Sequence, residues 1–188
     1  MSDARERLIA ELREHALVIG EVTLTSGAKA QYLVDAKRAI LLPAGFAALG
    51  ELVAGVARDV GATAVGGLTM GADPIACAAL AGGADVKAFF VRKEVKQHGL
   101  SRSIEGPLLT PDDRCLIVED VVTTGGSTVK AIDRVRDAGH EIVGVVAILD
   151  RLAGGAETIQ ASIGDAPYVA LTTIDDVYPD RPDRQRGG

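Results

Sequence analysis

The spacing of hydrophobic positions changes along the chain between two periods. Apolar residues recur every three or four positions in residues 3–17 and 44–60, which predicts two amphipathic helices, the second ending at Gly61. Short β-branched apolar runs predict strands at residues 62–65, 86–91, 115–118, 142–149 and near 168–171, the last followed by a short helix. Strands that alternate with helices predict an α/β fold, with an open, mainly parallel sheet flanked by helices.

The first 40 residues have a pattern of their own. Alternation from Val22 to Leu24 leads into Ser26 and Gly27, and residues 31–35 form a second short strand, so we predict a small hairpin, or hood. The predicted organisation is therefore an N-terminal helix and hood hairpin (1–40), a core (41–178) and a tail (179–188). The tail, PDRPDRQRGG, is predicted to be disordered.

Composition narrows the class of protein. A chain of 188 residues fits one domain, and with 47% apolar but only 3% aromatic residues its core is aliphatic, as in buried parallel sheets. The net charge of −6 argues against a nucleic-acid partner, although local charge decides whether an anionic substrate binds. Cys77 and Cys115 lie in apolar surroundings, and we expect both to be inert core residues in a reducing compartment.

Signals for secretion or membrane insertion are not seen. The start, MSDARE, has no apolar signal core, and the apolar run from Ile142 to Leu149 reaches only eight residues. We expect a cytoplasmic protein without a membrane partner.

The stretch from Leu116 to Thr128, LIVEDVVTTGGST, carries the clearest indication of chemistry. It joins a predicted strand to a helical pattern that starts at Val129 and ends at Gly139. Glycine lets the backbone approach an anion, hydroxyl groups add donors, and a helix N-terminus presents unpaired N–H groups. We predict a phosphate site here; an ordinary strand–helix turn with a Ser/Thr cap is the alternative, and the adjacent acidic pair argues against it.

That acidic pair, Glu119 and Asp120, would repel a phosphate. It suits ribose hydroxyls, or a magnesium ion, on the neutral side of a sugar phosphate. A second glycine-rich turn, residues 66–74, follows the strand at 62–65 and places Pro74 at the first position of a helix, with Asp73 as the expected N-cap.

Residues 92–102, RKEVKQHGLSR, reverse the local charge. A helix would place Arg92 and Lys96 on one face as a like-charge pair, so we predict a mobile loop instead. Such a loop would close over a polyanion and shield a reaction from water. A solvated basic loop without function is the alternative.

Together these motifs resemble a known family. The segment from Glu119 to Thr128 resembles the phosphoribosyl pyrophosphate (PRPP) signature of type I phosphoribosyltransferases, and Arg92–Gly99 resembles the R-K-x-x-K-x-H-G loop of orotate phosphoribosyltransferases. The resemblance extends to Thr23–Gly27, the 66–74 loop and Leu149–Arg151. It implies the type I phosphoribosyltransferase fold and transfer of the 5-phosphoribosyl group from PRPP to orotate, giving orotidine 5'-phosphate and pyrophosphate in pyrimidine biosynthesis.

The resemblance also implies residue roles. Glu119 and Asp120 would hold the ribose 2- and 3-hydroxyls, and the loop after them would bind the 5-phosphate. The predicted PRPP-binding residues of this segment are Glu119, Asp120, Val121, Val122, Thr123, Thr124, Gly125, Gly126 and Ser127. Pyrophosphate would be bound by Arg92, Lys93, Lys96 and His98. The candidate catalytic residues are Lys93, Lys96, His98 and Asp120; His98 would either protonate the leaving group or donate a hydrogen bond. Orotate would contact Thr123 and Arg151, whose guanidinium offers a carboxylate two parallel donors.

A cofactor and a partner are implied as well. Magnesium would be held mainly by substrate oxygens, without a protein cage, and a homodimer would let Lys93 reach the partner's site. Thr25 and Met70 depart from the family, since lysine is found at the first position in many members and at the second in some. Lys29 could compensate, or be a plain surface lysine.

Two other functions stay open. A phosphoribosyltransferase for a purine or another base would share the PRPP motif, but the basic loop and Arg151 argue against it. A PRPP-sensing regulator would usually show a nucleic-acid-binding surface, which this acidic chain does not suggest.

Overall fold

The computed structural model describes residues 2–23, 29–94 and 103–184, without the side chains of Ser2 and Thr23. The predicted site residues Lys96 and His98 lie outside the described residues, as does Thr25 of the hood.

Helices and strands alternate through most of the described chain. The helices are α1 (Ser2–Glu11), which continues as a π-helical turn (Leu12–Ala16), α2 (Lys37–Ile40), α3 (Pro43–Asp59), α4 (Asp73–Ala81), α5 (Gly126–Asp137), α6 (Gly155–Ile163) and α7 (Ile174–Val177). The strands are β1 (Leu17–Thr23), β2 (Lys29–Val34), β3 (Ala64–Leu68), β4 (Lys87–Val91), β5 (Ile104–Glu105), β6 (Arg114–Val122), β7 (Glu141–Asp150) and β8 (Tyr168–Thr173).

Six of these strands form one sheet in the order β5-β4-β3-β6-β7-β8. All neighbours are parallel except β5, which pairs antiparallel with β4 at the edge. One apolar cluster lies under α1, α3 and α4, and a second lies under α5 and α6 on the other face. This confirms the predicted open α/β sheet, whose parallel strands bring the loops after β3, β6 and β7 to one edge.

The hood is a separate antiparallel hairpin of β1 and β2. Along β2, Tyr32 and Val34 are buried while Lys29, Gln31 and Leu33 are exposed, which is the alternation of a strand with one covered face. The predicted pairing of two short strands is therefore present, but the first strand begins at Leu17, which was assigned from sequence to the N-terminal helix, and not at Val22.

Several elements differ from the sequence-based prediction. β6 does not end at Val118 but runs to Val122, because its pairing with β7 continues to Val122 opposite Asp150. The acidic pair is therefore part of the strand. Helices α2 and α6 and the short strand β5 were not predicted. Cys77 is exposed on α4, so its assignment to the core is wrong, whereas Cys115 is buried as expected.

Helix α1 and the described segment after α7 both contact the rest of the protein. Leu8 and Leu12 are fully buried in the same cluster as Leu49 and Val53 of α3. After α7 the chain is described as far as Arg184, and Asp183 accepts a hydrogen bond from the Tyr32 hydroxyl at 2.9 Å. Within the described ranges, no helix is long and apolar enough to cross a membrane.

Candidate active site

The loop between β6 and α5 has the geometry of an anion site. Gly125 precedes the helix in the left-handed conformation, with φ +80°. A Cβ at this position would lie 2.8 Å from the carbonyl oxygen of Gly155, so both conformation and space require glycine. A cavity of about 100 Å³ is lined by Glu119 and the segment from Val121 to Thr128. The structure thus brings the predicted phosphate residues together around one small hollow at a helix N-terminus.

Glu119 and Asp120 are consecutive residues of β6, and their carboxylates lie close to each other but have different further partners. Glu119 is 6% exposed, lines the cavity and accepts a hydrogen bond from the buried Thr128 hydroxyl at 3.1 Å. Burial, reinforced by the charge of Asp120, raises the pKa of Glu119 well above its usual range. Asp120 lies against Gly71, accepts from Lys37 Nζ at 3.3 Å, and accepts from the Val121 N–H at 2.9 Å.

The second glycine-rich turn packs directly on Asp120. A Cβ on Gly71 would lie 2.6 Å from the Asp120 carboxyl carbon. Any side chain at position 71 would therefore collide with the carboxylate, and glycine allows the turn to pack against it. The Thr69–Met70 peptide bond in the turn is cis. Asp73 is not the N-cap: Ala72 holds that position, and Asp73 lies in the first turn of α4, where it accepts from the Thr69 hydroxyl at 3.2 Å.

Lys37, at the start of α2, was missed by the sequence reasoning. Its Nζ lies 2.7 Å from Oδ1 of Asp35 and 3.3 Å from Oδ2 of Asp120, so it joins the end of the hood hairpin to the acidic pair. No local sequence signal indicates this contact, because Lys37 and Asp120 are 83 positions apart. Lys29, considered above as a compensating lysine, pairs instead with the exposed Glu21 at 2.7 Å.

Arg151 stands beside the phosphate loop. Its backbone N–H donates to the carbonyl oxygen of Val122 at 2.9 Å, which places it next to Thr123, the other predicted orotate residue. The Arg151 Nη2 donates to the hydroxyl of Tyr32 at 2.8 Å and lies 3.8 Å from Asp183 Oδ2. Neither of these two partners of Arg151 was predicted.

The turn after Arg151 is held by Asp150, which is 3% exposed. Its carboxylate accepts from the backbone N–H of Leu152 at 2.7 Å and from the Tyr168 hydroxyl at 2.8 Å. Leu152 has φ +56°, an unusual conformation for a residue with a branched side chain. Burial, together with the hydrogen bond to Asp150, raises the pKa of Tyr168. Asp150 therefore holds the backbone directly after Arg151 and ties the end of β7 to Tyr168 of β8.

Only the start of the predicted basic loop is described. The Arg92 Nε pairs with Glu105 Oε1 at 2.6 Å, and its backbone N–H donates to Ser103 at 2.9 Å. Lys93 is exposed, and its carbonyl oxygen accepts from Arg134 at 2.8 Å. The structure thus places Arg92 and Lys93 after β4 at the loop edge of the sheet.

Cavity volume alone does not locate the site. A larger hollow of about 510 Å³ lies between the segment from Ser103 to Leu109 and the end of α5, and is lined by none of the predicted site residues. We assign the function to the smaller one, because it combines backbone donors, hydroxyl groups and a carboxylate. In the described part of the chain, no group of three or more His, Cys, Asp or Glu residues is arranged to hold a metal ion.

Comparison with known proteins agrees with this geometry. Residues 41–163 match the model of the phosphoribosyl transferase domain family. The orotate phosphoribosyltransferase of Corynebacterium glutamicum is 45% identical over 177 residues, covering 94% of this chain and 95% of the relative. That of Streptomyces avermitilis is 46% identical over 172 residues, covering 89% and 93%.

A solved structure gives the same result. The Mycobacterium tuberculosis orotate phosphoribosyltransferase in complex with PRPP superposes with a TM-score of 0.79 at 37% identity, over 93% of this chain and 98% of that one. The fold, the loop between β6 and α5 and the extent of these matches agree, and the chain belongs to the phosphoribosyl transferase family, among the orotate phosphoribosyltransferases.

Proposed function

We propose that this chain transfers the 5-phosphoribosyl group of PRPP to orotate, giving orotidine 5'-phosphate and pyrophosphate, a step of de novo pyrimidine biosynthesis. The observation that carries the proposal is the hydrogen bond from the Arg151 backbone to Val122. It sets a guanidinium suited to the orotate carboxylate directly beside a loop suited to the ribose 5-phosphate. A phosphoribosyltransferase for neutral purines has no need of that guanidinium.

The 5-phosphate end of PRPP would occupy the hollow lined by Thr123–Thr128. The first-turn N–H groups of α5 have no acceptor within the helix, and the hydroxyls of Thr123, Thr124 and Ser127 add further donors. Val121 and Val122 contribute backbone, because they are the last residues of β6. The described lining of this hollow contains neutral donors and no lysine.

The ribose would lie across the end of β6, where its hydroxyls face carboxylates and not the phosphate donors. Asp120 is the more accessible of the pair, with 17% of its side chain exposed, and can accept from two hydroxyl groups. Glu119, buried and with a raised pKa, is in a position to support the hollow through Thr128.

The reaction breaks the bond between C1 of ribose and the pyrophosphate oxygen and forms one between C1 and N1 of orotate. The bonding electrons leave with pyrophosphate, and the N1 proton goes to solvent, since orotate N1 is acidified by its carbonyl groups. The protein's task is to hold both reactants and to stabilise the charge that develops on pyrophosphate. We assign this charge stabilisation to Arg92, Lys93, Lys96 and His98.

Magnesium is proposed as a companion of the substrate. Its preferred ligands are phosphate oxygens together with one or two carboxylates, and Asp120 is the accessible carboxylate at the ribose end. When bound, the ion would offset the charge of the diphosphate.

We also propose a homodimer in which Lys93 serves the partner's site. This is supported by the exposure of Lys93 at the loop edge, while its own carbonyl is anchored to Arg134 of α5. A cytoplasmic location is the matching proposal, supported by an exposed free thiol at Cys77 that a reducing compartment would preserve.

The decisive experiment follows orotate absorbance with the purified protein, PRPP and magnesium, omitting each in turn. Loss of orotate only in the complete mixture is expected. Uracil, adenine and hypoxanthine at matched concentrations test the alternative bases, and turnover of any of these in preference to orotate would contradict the proposal. PRPP binding without turnover of any base would favour the regulator.

A further inference from the structure

The side chain of Lys37 contacts Asp120, one of the two residues of the acidic pair. Lys37 Nζ contacts Asp120 Oδ2 at 3.3 Å and Asp35 Oδ1 at 2.7 Å. Within the described ranges, Asp120 has no other ion pair. The contact therefore involves the carboxylate to which the proposed function gives the ribose hydroxyls.

The position of Lys37 is fixed by the backbone around it. The Asp35 N–H donates to the carbonyl oxygen of Ala16 at 2.9 Å, and the Asp35 carbonyl accepts from the Arg38 N–H at 3.1 Å. These bonds tie the start of α2 to the hood hairpin and to the end of the π-helical turn. These hydrogen bonds fix the backbone next to Lys37 and so place its side chain near Asp120.

The environment of Lys37 favours its charged form. Partial burial opposes the charge, but the contacts with Asp35 and Asp120 outweigh it and raise the pKa of the ammonium group. Within the described residues the Lys37 ammonium donates a hydrogen bond to Asp120 and forms an ion pair with Asp35, and an ammonium group has three donors in all. One N–H remains for an oxygen of a bound ligand.

The charge matters because PRPP is a polyanion. Without Lys37, the Asp35 and Asp120 carboxylates would face PRPP without the cation that pairs with both, and Asp120 would lose the ion pair it has within the described residues. Gly71, on the other side of Asp120, offers no side chain that could take over.

We propose that Lys37 is a positioning residue of the PRPP subsite: it holds the Asp120 carboxylate for the ribose hydroxyls and offsets its charge against the incoming substrate. This inference rests on the proposed function for the identity of the ligand. It gives the hood hairpin a role at the PRPP end of the site, in addition to its contact with Arg151.

The test compares Lys37→Met with Arg38→Met. Arg38 is the next residue, is exposed and has no ion pair within the described residues, so its loss controls for a change in net charge. For Lys37→Met we expect the KM for PRPP to rise about tenfold, while the KM for orotate and the thermal midpoint of the ligand-free protein stay close to wild type. Lys37→Arg should restore most of the PRPP affinity, and Arg38→Met should change neither constant.

The outcomes separate this inference from the proposed function. An unchanged KM for PRPP in Lys37→Met, with wild-type turnover, overturns the role of Lys37 and leaves the function standing. Equal losses for PRPP and orotate, or a lower thermal midpoint that Lys37→Arg does not restore, assign Lys37 a structural role and also overturn the inference. If the wild type turns over no orotate, PRPP binding measured by calorimetry on the same variants still decides for or against Lys37.

Discussion

The guanidinium of Arg151 lies over the ring of Tyr32, with Cζ 4.8 Å from the ring centroid, and donates to the same residue's hydroxyl at 2.8 Å. Tyr32 is 3% exposed and meets Tyr178 edge-on, with ring centroids 5.3 Å apart. A buried aromatic residue of the hood hairpin therefore sets the plane of the guanidinium, which matters if Arg151 is to meet a planar carboxylate with two parallel donors.

Tyr32→Phe keeps the ring and removes the hydroxyl. We expect the KM for orotate to rise about tenfold or more, because a hydrogen bond to a charged group contributes about 1.5 kcal/mol or more, while the KM for PRPP stays within twofold. Steady-state kinetics with each substrate varied in turn measures this. Tyr178→Phe is the matched control, and an equal orotate effect there would contradict the assignment to the hydroxyl of Tyr32.

Glu119 should make stability depend on pH near neutrality. Its pKa is raised in the folded protein, so the folded state holds the proton more tightly than the unfolded state does. The unfolding free energy is then highest below the ordinary glutamate pKa and declines as the pH rises through the raised value. Denaturant unfolding of the ligand-free protein between pH 5 and 8 should show this decline in the wild type and a flatter profile in Glu119→Gln. If the wild type and Glu119→Gln lost stability in parallel as the pH rises, the pH dependence would arise from a group other than Glu119.

Asp113 should make the free energy of unfolding depend on pH in the opposite direction, at acid pH. Its buried carboxylate accepts from Lys87 Nζ at 2.7 Å, from the Thr110 N–H at 2.6 Å and from the Thr63 hydroxyl at 3.0 Å. Burial alone would raise the pKa of Asp113, but these donors outweigh it and hold the pKa well below its usual range. The stabilisation is complete above the ordinary aspartate pKa and is lost as the pH falls below it.

Lys87→Met tests this cluster. We expect the unfolding free energy at pH 7 to fall by about 1–2 kcal/mol, because the buried carboxylate keeps its other donors but loses its counter-ion. The exposed Lys130→Met on α5 is a suitable control. In Asp113→Asn, the free energy of unfolding should fall less steeply as the pH is lowered below the ordinary aspartate pKa. If the fall were as steep as in the wild type, Asp113 would not be the source of this pH dependence.

Lys93→Ala tests the leaving-group assignment. Loss of one well-placed electrostatic donor costs on the order of 10²–10³ in rate, so we expect kcat to fall by about that factor while the thermal midpoint is unchanged, because the side chain is exposed. Glu94→Ala, one position along, should leave kcat near wild type. Wild-type turnover by Lys93→Ala would remove this residue from the mechanism.

The sequence was informative where the chemistry is local. The strand–loop–helix structure of the candidate phosphate site could be predicted because its strand, glycines, hydroxyls and helix start lie within thirteen consecutive residues. The end of β6 could not, since Glu and Asp are uncommon in strands and only the pairing with β7 keeps them there. Lys37 and Tyr32 were missed for a different reason: their contacts with Asp120 and Arg151 span 83 and 119 positions and depend on how the N-terminal part of the chain packs. Asp183, which lies 3.8 Å from Arg151, was missed because it belongs to the segment that was predicted to be disordered.

The placement of Glu119 and Asp120 inside β6 has a consequence for how the site recognises a sugar. A carboxylate on a flexible loop loses conformational entropy when its ligand arrives, whereas a strand that is paired as far as Val122 has already lost that freedom on folding. The ribose would therefore bind to a backbone that is already rigid. Its affinity would depend mainly on how well its shape fits the site, because little free energy would be spent on ordering the protein.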